Sequence, residues 1–313
     1  MRKTFRIIFF GTPEFSVPTL NALHEEDHDV VLVVTRPDRP KGRGRKLTQS
    51  PIKETALKLG YDVVQPTSIK TREFVDQIRH CKPDFVIVVA FGRILPENVL
   101  VQARIGAINV HASLLPKYRG PAPIQWAIIK GEPETGVCTI LMDKGMDTGD
   151  ILLSLKEPIR ADDTAGSLHD RLAKKGAHAL IDTLMAYCGN TIQPTPQDHS
   201  AATYAPMLAK EDGRIDWNKS AESLEPFIRG VTPWPGAYTF FEEKRLKVFR
   251  SRPIAIDVSE PPGTVLHSFP GELRVATGNG ALSIEEIQGP SGKRLSVKDF
   301  LRGFDIPSGA ILS

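Results

Sequence analysis

Asn109 and His111 stand two residues apart in AINVHASLLPKYRG, and Asp143 and Asp147 stand four apart in the loop-like run DKGMDTGD. A carboxamide can donate N–H to an oxygen on which negative charge grows, an imidazole can move a proton near neutral pH, and a carboxylate can orient that imidazole and favour its protonated form. Such a set suits acyl transfer to a nucleophile that the substrate brings with it. No Ser-His-Asp order or nucleophile elbow accompanies these residues, and no histidine pair has metal spacing, so neither a covalent serine route nor a metal site is expected. The plain alternative is a structural strand-end pair beside a solvated aspartate-glycine turn.

The elements that must position them follow from periodicity. Ile108 and Val110 alternate with Asn109 and His111, which puts the amide and the imidazole on one face of a strand. Pro116 stops that strand, having no backbone donor and forcing Leu115 out of the ladder. Phe5–Phe10, Asp29–Thr35 and Asp84–Ala90 are continuous apolar runs, as in parallel strands covered on both faces. A short strand is expected at Asp62–Gln65 and another at Gly136–Met142, leading into the Asp143 loop. Helices are expected after Ser16 (its N-cap, with Pro18 in the first turn), from Ser50-Pro51 to Gly60, over Thr71–Cys81, from Pro96, over Pro121–Ile129 and over Thr164–Tyr187. This alternation defines an α/β chain with a Rossmann-like doubly wound parallel sheet, in which ligands collect at the carboxyl ends of strands.

A dinucleotide site would need G-x-G-x-x-G at the first turn, where FFGTPEF supplies only Gly11. A dehydrogenase is therefore disfavoured, and no nucleotide cofactor is expected. With 313 residues and 41% hydrophobic content the chain is long enough for two domains. The two prolines of GNTIQPTPQD (Gly189–Asp198) mark a linker. After it, strand-like runs at Gly236–Glu242, Arg245–Phe249, Gly263–Leu266, Leu273–Thr277 and Ala281–Glu286 suggest a small antiparallel barrel or sandwich. The expected division is 1–189, a linker at 190–207, and 208–313. Three widely spaced cysteines argue for a reducing compartment, and no apolar run reaches membrane-spanning length. A soluble cytoplasmic protein is the expectation.

The net charge of +3 conceals a local density: RPDRPKGRGRK holds Arg36, Arg39, Lys41, Arg43, Arg45 and Lys46 against Asp38 alone. Arginine and lysine on a glycine-loosened backbone suit phosphate contacts, and a solvated loop is the alternative. From Pro206 onward basic and acidic residues are fourteen each, so only local clusters there, such as Lys244-Arg245-Lys247 with Arg250 and Arg252, or Lys293-Arg294, could face RNA.

The segments FGTPEF, VTRPDRPKGRGRKL, VVAFGRILP, INVHASLLPKYRG and MDKGMDTGDI, in this order, closely resemble the methionyl-tRNA formyltransferase family, and DWNKSAESLEPFIRGVTPWPGAY resembles the start of that family's second domain. The resemblance covers nearly the whole chain. It implies a formyltransferase catalytic domain at 1–189 and a C-terminal OB-like β-barrel at 208–313 that binds tRNA. It implies 10-formyltetrahydrofolate as donor, without a metal, and initiator methionyl-tRNA as acceptor, in a monomer that meets no membrane. The family's catalytic trio falls on Asn109, His111 and Asp147. Its folate-binding segment falls on Ser113, Leu114, Leu115 and Pro116, with Phe91, Gly92 and Asp143 as pterin-pocket walls. The arginine used against tRNA falls on Arg43, with Lys41, Arg45 and Lys46 around it. The transfer is then direct, without a covalent enzyme intermediate: Asn109 and His111 face the formyl oxygen, and His111 with Asp147 shuttles the proton. The alternatives are an enzyme of the same fold acting on a small amine, such as an amino sugar or a glycinamide nucleotide, and a noncatalytic RNA-binding protein.

Overall fold

The continuous apolar runs become the middle of one sheet. The computed structural model describes residues 4–41, 46–267, 271–290 and 292–313, without the side chains of Lys41 and Lys46. Up to its long helix the chain forms β1 (Arg6–Gly11), α1 (Val17–Glu25), β2 (Asp29–Val34), β3 (Arg39–Lys41), β4 (Lys46–Thr48), α2 (Pro51–Lys58) and β5 (Val63–Val64). Then come α3 (Arg72–His80), β6 (Phe85–Val89), α4 (Glu97–Leu100), β7 (Gly106–His111), α5 (Pro123–Ile129), β8 (Glu134–Leu141), β9 (Ile151–Pro158) and α6 (Ala165–Cys188). The sheet order is β5-β2-β1-β6-β7-β8-β9. The expected parallel arrangement holds from β5 to β7, and β8 and β9 extend it antiparallel at one edge.

Period-two alternation sorts the core onto the two faces. Ile8, Phe10, Val86, Val88 and Ala107 share one cluster with Phe74 and Ile78 of α3, so Asn109 and His111 lie on the Ala107 face of β7. Ile108 and Val110 point the other way, where Gly176 of α6 comes so close that an added Cβ would lie 2.9 Å from Val110 Cγ1. The Thr183 and Thr139 hydroxyls, 2.7 Å apart, fasten α6 to β8.

Ser50 and Thr71 cap α2 and α3 by accepting from Lys53 N and Phe74 N. Ser16 makes no such cap bond. Its hydroxyl donates instead to Pro13 O at 2.7 Å, within a short 3-10 turn that precedes α1.

The chain divides into two compact units, Met1–Pro123 with Glu134–Pro158 and His169–Ala205, and Ile124–Pro133 with Ile159–Leu168 and Pro206–Ser313. The stretch expected as linker is fastened along the first unit: Thr195 and Ile151 exchange two bonds of 2.8 Å, and Thr203 and Ala205 bracket Arg119. The second unit holds α7 (Ala221–Gly230), β10 (Ala237–Phe241), β11 (Lys244–Ile254), β12 (Leu273–Ala276), β13 (Ala281–Gln288), β14 (Leu295–Ser296) and α8 (Val297–Phe300). Its strands pair antiparallel in the order β10-β11-β13-β12, with β14 on β13. Trp217, Leu224, Ile228, Leu246, Val248 and Ile284 fill the core beneath them. The run Gly263–Leu266, expected as a strand, makes only isolated bridges from Thr264 to Ile311 and from Val265 to Val275. Among the described residues no helix is long and apolar enough to cross a membrane.

Candidate active site

β7 ends the parallel part of the sheet, and its last residues meet β6 on one side and β8 on the other. Asn109 pairs in register with Val88 and with Ile140, and His111 with Cys138. His111 is buried, 6% exposed, so its ring depends on protein partners. Nε2 donates to the Tyr118 carbonyl at 2.9 Å, which leaves Nδ1 as the unprotonated nitrogen of the neutral ring. Nδ1 faces Asp147 Oδ1 at 3.6 Å.

Asp147 reaches this point on the loop between β8 and β9. Asp143 Oδ1 ties that loop together by accepting from Gly145 N at 2.9 Å and from Thr148 Oγ1 at 2.7 Å. Asp147 itself has φ +55, a left-handed conformation that costs an L-residue about 1 kcal/mol, so its surroundings must hold it. Its Oδ1 accepts from Asn109 Nδ2 at 3.3 Å, and its Oδ2 from Gly120 N at 2.9 Å. Gly120 has φ +113, and a Cβ there would lie 2.9 Å from the Ala205 carbonyl, so glycine is needed. The Tyr118 carbonyl and the Gly120 amide thus complete the trio through backbone groups, which sequence reasoning missed. Its one available signal was the glycine of the Arg119-Gly120 pair.

The expected folate-site residues divide. Asn109, Asp143 and Asp147 line one recess with Ile140, Met142, Gly145, Thr148 and Gly149. Phe91 is buried, its ring edge-on against Phe10 with centroids 5.2 Å apart. Gly92 is exposed, with φ +78, beside the Arg36 guanidinium. Ser113 is fully buried and donates to Lys117 O at 2.6 Å, which closes the turn after β7. Leu115 packs with Cys138 and Ile140, Leu114 lies over Gly136, and the Leu115–Pro116 bond is cis. Burial pushes the Cys138 thiol upward, more than its contact with Ser154 lowers it, so this neighbour of His111 is no ready nucleophile.

Of the residues expected to meet tRNA, Arg43 and Arg45 lie outside the described residues. Lys41 and Lys46 face each other in register as the inner ends of the β3-β4 hairpin. At the carboxyl end of β2, burial together with the charges of Arg39 and Arg93 holds the Arg36 pKa below its usual value. Asp38 is occupied, accepting from Lys53 and from Gln65 at 2.7 Å each.

A largely parallel α/β sheet, with an amide, an imidazole and a carboxylate meeting at one strand end, is followed along the chain by an antiparallel unit, and both parts belong to the formyl transferases. Residues 5–184 match the formyl transferase family model, and residues 207–305 match that of the formyl transferase C-terminal domain. The chain is 49% identical over 308 residues to methionyl-tRNA formyltransferase from Caldanaerobacter subterraneus, covering 98% of this chain and 99% of that one. It is likewise 49% identical over 310 residues to methionyl-tRNA formyltransferase from Desulfotalea psychrophila, covering 99% and 96%. The chain belongs to the methionyl-tRNA formyltransferase family. Among solved structures, HypX from Aquifex aeolicus in complex with tetrahydrofolic acid shares the fold, with TM-score 0.64 at 20% identity over 96% of this chain and 47% of that one.

Proposed function

We propose that this protein transfers the formyl group of 10-formyltetrahydrofolate to the free α-amino group of methionine on initiator methionyl-tRNA, giving N-formylmethionyl-tRNA for translation initiation. The observation that carries this is the meeting of Asn109, His111 and Asp147 at one strand end, in a chain 49% identical to methionyl-tRNA formyltransferases along its length.

The folate-type donor is assigned to the strand end beside this recess. Ile140 and Met142 line the recess together with the Asn109 amide and the Asp143 and Asp147 carboxylates. The donor supplies a formyl amide of an aryl amine, whose nitrogen lone pair is partly withdrawn into the ring, so the carbonyl is more electrophilic than a peptide and needs no covalent enzyme intermediate. Asn109 spends one N–H on Asp147 and keeps the other for the formyl oxygen. A single well-placed donor of this kind is worth roughly a hundredfold or more in rate. His111, its Nε2 proton committed to Tyr118, offers the Nδ1 lone pair to the attacking amine. It takes the proton as the new N–C bond forms and returns it to the departing nitrogen as the old C–N bond breaks. Asp147 supports the imidazolium in between, from 3.6 Å.

Residues 1–189 are taken as the catalytic domain, 190–207 as the linker and 208–313 as the tRNA-binding domain. Arg43, with Lys41, Arg45 and Lys46, is assigned to the acceptor end of the tRNA, where basic side chains meet phosphates and unpaired bases. On β11, Lys247 is exposed and open to RNA, whereas Arg250 is paired with Glu285 at 2.8 Å. The protein is taken to work as a monomer in the cytoplasm, where translation consumes its product.

The test is formyl transfer from 10-formyltetrahydrofolate to charged initiator tRNA, charged elongator methionyl-tRNA and small amines side by side. Strong preference for the initiator is expected. Equal turnover of a free amino sugar or glycinamide nucleotide would replace this function with that of a small-amine enzyme.

A further inference from the structure

Gln197 sits in the proline-rich stretch, 7% exposed, and all of its amide capacity is used. Its Nε2 donates to the Asp147 carbonyl at 2.9 Å and to the Gly149 carbonyl at 2.7 Å. Its Oε1 accepts from Arg119 twice, from Nε at 3.1 Å and from Nη2 at 2.6 Å. This orientation alone satisfies all four bonds, since the opposite flip would aim an oxygen at two carbonyls and an NH2 at a guanidinium. Arg119 is itself buried at 2% exposure, and its Nη2 reaches His199 Nδ1 at 3.1 Å. The backbone beside it is pinned to the same stretch: Arg119 N donates to Thr203 O at 2.9 Å, and Ala205 N to Arg119 O at 2.8 Å.

We infer that Gln197, held by Arg119, is a positioning residue for the reaction: its amide clamps the two carbonyls that fix the left-handed Asp147 and so sets the carboxylate against His111 and Asn109. The inference rests on the proposed role of Asp147 and adds to it a residue fifty positions away, in a segment that composition marks only as a tether. Asp147 adopts a left-handed backbone conformation, which aspartate tolerates better than most residues but still at a cost, and such a conformation persists where its surroundings over-determine it. Gln197 supplies that constraint on the backbone side and Gly120 on the carboxylate side. The stretch from Gln197 to Ala205 therefore holds three of the site's supports at once: the Asp147 backbone directly, and the Tyr118 carbonyl and Gly120 amide through their neighbour Arg119.

Gln197→Glu separates the clamp from mere packing. A carboxylate keeps the bulk and pairs with Arg119 at least as well, yet it has no N–H for the two carbonyls and repels them. The expected result is a protein that stays folded, with kcat lowered by about ten- to a hundredfold, the scale of a displaced reacting group. KM for methionyl-tRNA and the folate Kd should stay within about twofold. Gln197→Met, which keeps length without polarity, should lower kcat alike, with a lower thermal transition because the buried Arg119 loses its acceptor. Placed in an Asp147→Asn background, Gln197→Glu should lower kcat by less than about threefold further, because a residue acting through Asp147 has little left to act on. Near-normal kcat in either folded Gln197 variant would overturn the inference. So would the full Gln197→Glu loss persisting in the Asp147→Asn background, or a loss confined to KM for tRNA. Undiminished turnover by Asp147→Asn alone would instead remove the role of Asp147, and the clamp with it.

Discussion

His111 Nδ1 and Asp147 Oδ1 face each other across 3.6 Å, too far for a hydrogen bond and close enough for charge. The ring's other nitrogen is committed to the Tyr118 carbonyl, so its orientation does not depend on the aspartate. Asp147 therefore does not fix the ring's placement, and its firm contacts are with Asn109 and Gly120.

His111→Ala and Asn109→Ala should each lower turnover by at least about a hundredfold, the usual scale of proton-transfer and oxyanion contributions. Steady-state rates on folded variants check this. Near-normal turnover in either one would take that residue out of the mechanism.

Asp147→Asn removes the negative charge nearest the ring and keeps the side chain's shape. The imidazolium that forms during the reaction loses its partner, so kcat should fall across the pH range. The Asn109→Asp147 bond should weaken as well, lowering the maximal rate. A profile superimposable on the parent's would mean that the 3.6 Å approach carries no electrostatic coupling.

Glu157 gives a pH signature that belongs to stability rather than chemistry. Burial on β9 would raise its pKa, but its bonds to Lys175 and Arg171 of α6, together with their charges, bring it below the usual glutamate value. A carboxyl depressed in the folded state contributes stability above its unfolded pKa and loses it as pH falls through the folded value. Glu157→Gln should therefore destabilise at pH 7 by about 1–2 kcal/mol, less than a fully buried pair because both cations stay partly exposed. The gap to the parent should close as pH falls beneath the ordinary glutamate range. Denaturant unfolding at several pH values reads both effects.

What could be read in the sequence was whatever local pattern controls. Continuous apolar runs gave β1, β2 and β6, and the alternation around Asn109 and His111 gave their shared face. The strand β9 lacks such a pattern because it lies at the sheet edge, where only Leu152 and Glu157 of ILLSLKEP are buried, and its pairing with β8 depends on a loop that reads equally well as a turn or a crossover. Helix α7 carries Pro226 in its interior, which masks its helical pattern, although Ser220 caps it by accepting from Ser223 N. The site's second layer was invisible for a different reason. The Tyr118 carbonyl and the Gly120 amide are backbone groups, and Gln197 finds its partners 78 and 50 positions away, so no local spacing announces them.

The most direct test of the central claim is a single-turnover rapid-quench experiment with formyl-labelled 10-formyltetrahydrofolate, excess enzyme and charged initiator methionyl-tRNA. Direct transfer aided by Asn109, His111 and Asp147 predicts that label leaves the folate and appears on methionyl-tRNA at one rate, with none on the protein at any time. It also predicts that His111→Ala slows both processes equally. Label accumulating on the protein at a rate sufficient for turnover, or transfer to methionyl-tRNA undiminished in His111→Ala, would contradict it.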